Sequence, residues 1–270
     1  MIINFGGFCM RILILFSVSL ALLFGCSNNN ESQNETIGNE SEEVTNSGNS
    51  ADESRELTQE EKLVEELPEA SNLEDWNLIL VGPQYALPDA FEPRLVEVDN
   101  EQFVDERIEE AWYSWKEAAL QAGHRLFFAS GYRSIEHQRA NFNNTYENYL
   151  NEGYSEAEAL DRTKDYLTEP GHSEHHTGLA LDIVDEEWIV AGNGLIPEYD
   201  TQASQQWMMD TMADYGFILR YPAKKEDITD IQYESWHFRY VGEENAQYIV
   251  ANDLVLEEYI ELLELREELQ

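Results

Sequence analysis

The fold and chemistry of this 270-residue chain are indicated by one stretch, SEHHTGLALD at residues 173–182, read together with ESWH at residues 234–237. The two stretches contain two imidazoles and a carboxylate as candidate metal ligands: His175, His237 and Asp182. Three protein ligands and an open fourth position are typical of a catalytic zinc. Glu234, three residues before the second imidazole, could take a proton from metal-bound water. The pattern therefore predicts a zinc hydrolase.

The spacing of the candidate ligands predicts strands rather than one helix. His175 and Asp182 are seven residues apart, unlike two ligands at i and i+4 of a helix. We expect His175 on the loop that enters a strand and Asp182 on the inward face of that strand. Gly178 would allow close approach, and Ala180, on the Asp182 face, would leave room for an ion. His237 would then come from a second strand.

The remaining histidines are expected to be hydrogen-bonded surface or core residues rather than ligands: His124, His137, His172 and His176. The side chain of His176 should point away from that of His175, because neighbours on an extended chain face opposite ways. The candidate ligand set contains no thiolate, which argues against a purely structural zinc site.

The N-terminal sequence predicts export. An apolar run over residues 12–25 follows Arg11 and is too short for a comfortable membrane span. Gly25-Cys26 resembles the lipobox of bacterial lipoproteins, in which the cysteine is lipidated, although Phe24 is unusual there. We expect a lipoprotein signal peptide at residues 1–25 and lipidation at Cys26. An ordinary signal peptide and an uncleaved anchor are the alternatives, and translation could start at Met1 or at Met10.

Composition divides the rest of the chain into two parts. Residues 27–75 hold fifteen acidic and two basic residues and no aromatic residue, so residues 26–75 are expected to form a disordered acidic stalk. Within this stalk, residues 57–67 are the one stretch for which a marginal helix is considered. From Trp76 onward, aromatic and aliphatic residues recur at regular intervals over a length sufficient for one core. We therefore expect a single folded domain at residues 76–270, acting as a monomer.

Charge and cysteine content limit the partners that the protein can bind and the bonds that can stabilise it. The formal net charge of −39 excludes nucleic acid as a partner bound through charge, and equally an anionic membrane surface. The two cysteines are Cys9, within the predicted signal, and Cys26. The mature domain would therefore have no disulfide and would depend on its core and on the predicted metal.

Strand and helix signals alternate without a regular βαβ rhythm, which predicts an α+β fold with a small antiparallel sheet flanked by helices. Strands are predicted at residues 78–81, 125–129, 179–184, 217–219 and 236–241. Helices are predicted at residues 103–122, 135–150, 155–167, 202–215, 243–251 and 256–268.

Several motifs in the same order resemble VanY-type D-alanyl-D-alanine carboxypeptidases, a zinc peptidase family that also contains L,D-carboxypeptidases of cell-wall stem peptides. The resemblance extends from about Trp76 to Tyr259. Its motifs are Ser-x-His-x-x-Gly-x-Ala-x-Asp at 173–182, Glu-x-x-His at 234–237 within a run ending at 242, SGYRS at 130–134, YGFILRYP at 215–222, and Leu80-Val81 with Leu87-Pro88.

The resemblance implies that residues 76–270 are a zinc carboxypeptidase domain with a Hedgehog/DD-peptidase-like zinc fold, and it implies residue roles within that domain. It implies one Zn²⁺ per chain, with ligands at the matching positions: His175, Asp182 and His237. Glu234 matches the catalytic base, and Arg133 matches the arginine that steadies the scissile carbonyl oxygen and binds substrate. Three further positions match residues that line the substrate cleft: Gln138, Ser173 and Tyr221.

The implied function is removal of the C-terminal D-alanine from peptidoglycan stem peptides, by an enzyme lipid-anchored at the outer face of the cell membrane and facing the wall. An L,D-carboxypeptidase acting on tetrapeptide stems is the first alternative, because no motif identifies the residue before the cleaved bond. The second is a non-catalytic peptidoglycan-binding lipoprotein. Glu234 argues against that alternative, because a binding module does not need a base beside a metal.

Overall fold

The computed structural model describes residues 57–270. The predicted signal peptide at 1–25, Cys26 and the stalk before residue 57 lie outside these residues. The helices are α1 (Gln59–Glu65), α2 (Glu109–Gln121), α3 (Ile135–Asn151), α4 (Glu156–Lys164), α5 (Glu186–Val190), α6 (Ala203–Thr211), α7 (Glu226–Thr229), α8 (Glu243–Ala251) and α9 (Leu256–Leu269). The strands are β1 (Leu95–Glu97), β2 (Phe103–Asp105), β3 (Leu126–Ser130), β4 (Ala180–Asp185), β5 (Phe217–Leu219) and β6 (His237–Tyr240). Within residues 57–270, no helix has the length and apolar character needed to cross a membrane.

A four-stranded antiparallel sheet organises the domain, with strand order β3-β4-β6-β5. A separate two-stranded sheet pairs β1 with β2. Helices flank the larger sheet, which confirms the predicted α+β fold with a small antiparallel sheet. Because β4 lies inside the sheet and is buried over most of its length, it reads as a nearly continuous apolar run interrupted by Asp182.

The register between β4 and β6 separates a polar face of the sheet from an apolar face. Asp182 pairs directly with His237, while Leu181 pairs with Phe238. Side chains alternate between the two faces of a strand, so Asp182 and His237 share one face and the two apolar residues share the other. The apolar face packs on Trp115 of α2, whose ring lies edge-on to that of Phe238 at 5.2 Å.

Residues 57–75 differ from the predicted stalk, because the described part of this segment packs on the domain. Val64 and Leu67 are buried in a second core with α8 and α9. The Tyr248 hydroxyl donates to the Leu63 carbonyl at 2.6 Å, and Arg266 donates to the Pro68 carbonyl at 3.0 Å. The prediction rests on the average composition of the whole acidic segment, in which these few apolar residues carry little weight. Their burial is nevertheless enough to hold α1 on the domain.

Two predicted elements also differ from the structure. Residues 78–81 form no strand, because the Arg239 guanidinium donates to the carbonyls of Asn77 and Ile79, at 3.0 and 2.7 Å, where a strand partner would otherwise bond. The helix predicted from residue 103 begins only at Glu109, because residues 103–105 pair with β1. The other predicted strands and helices are present with small shifts at their ends.

Candidate active site

The sheet and the loop before β4 bring the three candidate ligands together. Asp182 and His237 are cross-strand neighbours, with 3.0 Å between Asp182 Oδ1 and His237 Nδ1. His175 lies on a short 3₁₀ helix just before β4, with its Nε2 atom 3.4 Å from Asp182 Oδ2. One ligand atom from each residue lies within 4.8 Å of the others, and all three side chains are buried. We call these three residues the ligand group.

The loop that carries His175 needs a glycine at its end. Gly178 closes the 3₁₀ helix with a φ of 70°, in the left-handed region that favours glycine. Its carbonyl accepts a hydrogen bond from the Asp105 backbone N–H at 2.9 Å, and a Cβ at this position would lie 2.8 Å from the same nitrogen. The predicted close approach therefore occurs, against the end of β2.

Hydrogen bonds on the far side of each imidazole determine which nitrogen faces the ligand group. His175 Nδ1 lies 2.7 Å from the Gly131 carbonyl, which can only accept, so Nε2 is left with its lone pair towards Asp182. His237 has the opposite arrangement. Its Nε2 atom lies 3.3 Å from a carboxylate oxygen of Glu174, so Nδ1 is the nitrogen that faces the ligand group.

The chemistry of the ligand group fits a divalent cation. Asp182 Oδ1 is buried and lies 3.0 Å from His237 Nδ1, but it accepts no hydrogen bond of good geometry. Such an arrangement is costly for a carboxylate oxygen unless a cation is bound beside it. Two imidazole nitrogens and this carboxylate converge without a thiolate, as expected for a zinc that keeps an open coordination position. A Zn²⁺ ion therefore fits between these side chains.

Glu234 lies beside the ligand group and is buried. Its Oε2 atom is 3.6 Å from His237 Nδ1. Burial raises the pKa of Glu234 to about 8, and the nearby charge of Asp182 adds to this effect while His237 opposes it. A cation bound to the ligand group would lower that pKa. Glu234 is therefore a carboxylate that can exchange a proton near neutral pH, as a general base must.

Arg133 lies across the cleft, at the turn from β3 into α3. Its guanidinium donates to Gln138 Oε1 at 2.8 Å and to Ser130 Oγ at 3.0 Å. Gln138 is buried and donates in turn to the Thr168 carbonyl at 2.7 Å, so its contact with Arg133 is fixed from both ends. The backbone N–H of Arg133 donates to the His175 carbonyl at 3.0 Å, which ties this turn to the ligand loop.

One cleft of about 400 Å³ is lined by every predicted site residue of the domain: Arg133, Gln138, Ser173, His175, Asp182, Tyr221, Glu234 and His237. The ring of Tyr221 packs 4.9 Å from that of His237. The cleft also has an apolar wall that the motifs did not indicate: Leu195, Ile196, Pro197, Ile231 and Trp236.

His176 lies outside the ligand group, as the sequence predicted. Its Nδ1 atom donates to the Arg133 carbonyl at 2.6 Å, and its Nε2 atom accepts from the Gly171 backbone N–H at 3.1 Å. This histidine therefore holds two loops of the cleft together.

Comparison with known proteins agrees with this geometry. The sequence model of the VanY family, described as D-alanyl-D-alanine carboxypeptidase, matches residues 101–243. A D-alanyl-D-alanine carboxypeptidase of Enterococcus faecalis is 33% identical over 201 residues, which cover 74% of this chain and 72% of that protein. This chain belongs to the VanY family.

Two solved structures resemble this VanY-family chain. One is a variant of the vancomycin-resistance D,D-pentapeptidase VanY in complex with Zn(II), with a TM-score of 0.62, 34% identity, and coverage of 69% of this chain and 99% of that chain. The other is the LdcB LD-carboxypeptidase, with a TM-score of 0.59, 38% identity, and coverage of 69% and 86%. The family resemblance, the zinc peptidase fold and the zinc cofactor predicted from the sequence are confirmed.

Glu174, which directly precedes His175, has a role that the sequence did not indicate. Its side chain is fully buried and contacts His237, Arg220 and Arg239. Burial alone would raise the pKa of Glu174, but the charges of the two arginines outweigh it and hold that pKa far below its ordinary value. A glutamate between a serine and a histidine gave no sign of this, because its partners are distant in sequence.

Proposed function

We propose that this protein is a zinc metallocarboxypeptidase that removes the C-terminal D-alanine from peptidoglycan stem peptides. The observation that carries the proposal is the convergence of the ligand group, Glu234 and Arg133 on one cleft in a VanY-family chain. The cleft thus combines a metal position, a base and a cation. Those are the parts that hydrolysis of a terminal peptide bond requires.

Each residue has a role in the proposed reaction. Bound to His175, Asp182 and His237, Zn²⁺ would acidify a water molecule and polarise the scissile carbonyl. Glu234 accepts the proton of the water that attacks the carbonyl carbon, and then gives that proton to the amine of the departing D-alanine. Arg133 places a fixed positive charge opposite the developing oxyanion, and Gln138 holds the guanidinium in place.

A carboxypeptidase must also recognise a free C-terminal carboxylate. The guanidinium of Arg133 supplies a positive charge in the wall of the cleft, and the polar side chains of Ser173 and Tyr221 line the same cleft. Charge-assisted hydrogen bonds are roughly twice as strong as neutral ones, so a free carboxylate should be strongly preferred over an amide. The apolar wall of the cleft is suited to the methyl groups of alanine residues.

Amidation of the stem peptide tests this preference. Cleavage of a C-terminally amidated pentapeptide stem should be slower by at least about tenfold, or roughly 1.4 kcal/mol of transition-state binding. Mass spectrometry of the products should show release of single D-alanine from free stems, with amidated and cross-linked stems spared. Equal cleavage inside cross-linked stems would instead indicate an endopeptidase and would remove the role given to Arg133.

L,D-carboxypeptidase activity on tetrapeptide stems is the second candidate function, and the similarity to the LdcB LD-carboxypeptidase favours it. The two activities differ in the residue before the cleaved bond, so a pair of stems that differ only in length distinguishes them. Release of D-alanine from pentapeptide stems alone supports D,D specificity, whereas release from tetrapeptide stems alone supports L,D specificity.

The monomeric state of the protein stays a prediction.

We further propose that the protein is anchored by a lipid on Cys26 at the outer face of the membrane, facing the wall. Arg11, the apolar run over 12–25 and Gly25-Cys26 support this. The acidic residues between Cys26 and α1 would repel one another and act as an extended spacer that lets the domain reach the wall.

Replacement of the cysteine tests the anchor. Cys26→Ser should release the protein into the medium or leave an unprocessed precursor, as seen by fractionation and intact-mass measurement. Mature, membrane-bound protein in this variant would contradict lipidation. Cys9→Ser is the matched control and should leave the membrane-bound form unchanged, because Cys9 lies within the predicted signal peptide.

A further inference from the structure

A buried ion network lies behind the metal-facing side of His237. Glu174 Oε2 is 3.3 Å from His237 Nε2, and Glu174 Oε1 accepts from Arg220 Nε at 2.7 Å and from Arg239 Nη1 at 2.6 Å. The side chains of Glu174, Arg220 and Arg239 are fully buried. One oxygen of the Glu174 carboxylate therefore contacts His237, and the other oxygen accepts hydrogen bonds from two arginines.

The network reaches the N-terminal segment and the C-terminal helix. Arg220 donates two hydrogen bonds, at 2.7 and 2.6 Å, to the carboxylate of Glu257 on α9. Arg239 donates to the Asn77 and Ile79 carbonyls. Two buried cations therefore face two buried carboxylates, and the other donors of Arg239 meet backbone carbonyls. Desolvation offsets much of the attraction in such a network, but removal of one partner leaves a buried charge unpaired and is strongly destabilising.

The His237 ring lies between two carboxylates, 3.0 Å from Asp182 at Nδ1 and 3.3 Å from Glu174 at Nε2, and a metal can bind only at a ring nitrogen that carries no proton. Asp182 Oδ1, 3.0 Å from Nδ1, would favour a proton on Nδ1, and the lone pair would then face away from the ligand group. Glu174, at Nε2, favours the opposite tautomer, in which Nδ1 offers its lone pair to a metal. The position of Glu174 therefore decides whether His237 can be a ligand.

We propose that Glu174 is a positioning residue that fixes the tautomer and ring orientation of His237 for zinc, and that Arg220 and Arg239 hold Glu174 in place. This inference rests on the proposed zinc site. A ligating histidine commonly donates its second N–H to a carboxylate, and loss of that partner typically lowers metal affinity 10- to 100-fold.

Glu174→Gln tests the proposal, because glutamine keeps the size of the side chain but can present an N–H₂ donor to His237 Nε2. Zinc affinity, measured by competition with a chelator, should fall by about 10- to 100-fold. Glu257→Gln is the matched control, since it removes a carboxylate from the same network without touching His237. It should lower thermal stability and keep the zinc affinity close to that of the parent protein.

Long-range ¹H–¹⁵N correlation of the histidine rings gives a second readout. The zinc-free parent and Glu257→Gln should show His237 protonated at Nε2, whereas Glu174→Gln should shift it towards Nδ1 protonation. Equal zinc affinity and the same tautomer in the two variants would overturn the proposal. Both measurements need no substrate, so they are independent of whether the parent protein cleaves stem peptides.

Glu174→Asp decides the question if Glu174→Gln does not fold. Aspartate keeps the negative charge between Arg220 and Arg239 but is one methylene shorter, so it cannot reach both the arginines and His237. A folded variant with zinc affinity lowered at least about tenfold supports positioning. A folded variant that binds zinc as the parent does would show that Glu174 contributes only to the packing of the arginines.

Discussion

Replacing Glu234 with glutamine should lower kcat by about 10²- to 10⁴-fold while zinc remains bound. Glutamine keeps the size and shape of the side chain but cannot accept a proton. Glu234 lies outside the three-residue ligand group, although its carboxylate is 3.6 Å from His237 Nδ1. Zinc content, measured by metal analysis of the purified variant, should therefore stay near one per chain while hydrolysis of a pentapeptide stem nearly stops.

The control for Glu234→Gln is Glu198→Gln, which removes a charge from an exposed residue next to the cleft wall at Pro197. It should change kcat little. Loss of zinc in Glu234→Gln would show that Glu234 is a ligand rather than a base. Full activity in that variant would show that another group accepts the proton. A zinc-loaded parent protein that hydrolyses no stem peptide would instead favour the peptidoglycan-binding role.

The sequence allowed the site residues to be proposed because their local signals are strong. Asp182 interrupts an otherwise apolar strand, and such an interruption is unusual unless the carboxylate has a partner. Gly178 marks a left-handed turn directly before that strand. Patterns of this kind depend on near neighbours in sequence, so one sequence is sufficient to reveal them.

The pairing of β4 with β6 could not be predicted in the same way. Asp182 and His237 are opposite each other because two strands separated by three α-helices and a strand meet in one register. A shift of one residue would turn His237 to the apolar face, where Phe238 now packs. Long-range packing selects this register, and the amphipathic pattern of each strand only limits the choices.

The ion network around Glu174 was beyond sequence analysis for a similar reason. Its members lie at positions 174, 220, 239 and 257, on four separate segments, and each reads alone as an ordinary surface charge. In a chain with 55 acidic residues, two buried glutamates do not stand out. Only the fold shows that these two are paired with buried arginines.

Replacing His237 with alanine should abolish both zinc binding and activity. The variant loses one of three ligands and leaves Asp182 and Glu174 without the imidazole that lies between them. Zinc at 100 times its Kd should stabilise the folded parent by about 2.7 kcal/mol, because ligand that binds only the native state shifts unfolding by mass action. Thermal melts with and without zinc should show that shift in the parent and none in the variant.

The control for His237→Ala is His137→Ala, an exposed histidine on α3 away from the ligand group. It should keep the zinc-dependent rise in melting temperature and the activity, which separates loss of a ligand from loss of any histidine. Retention of tightly bound zinc in His237→Ala would mean that the metal lies elsewhere. A chelated, metal-free parent with full activity would be a stronger contradiction, because Glu234 and Arg133 alone do not supply an activated water.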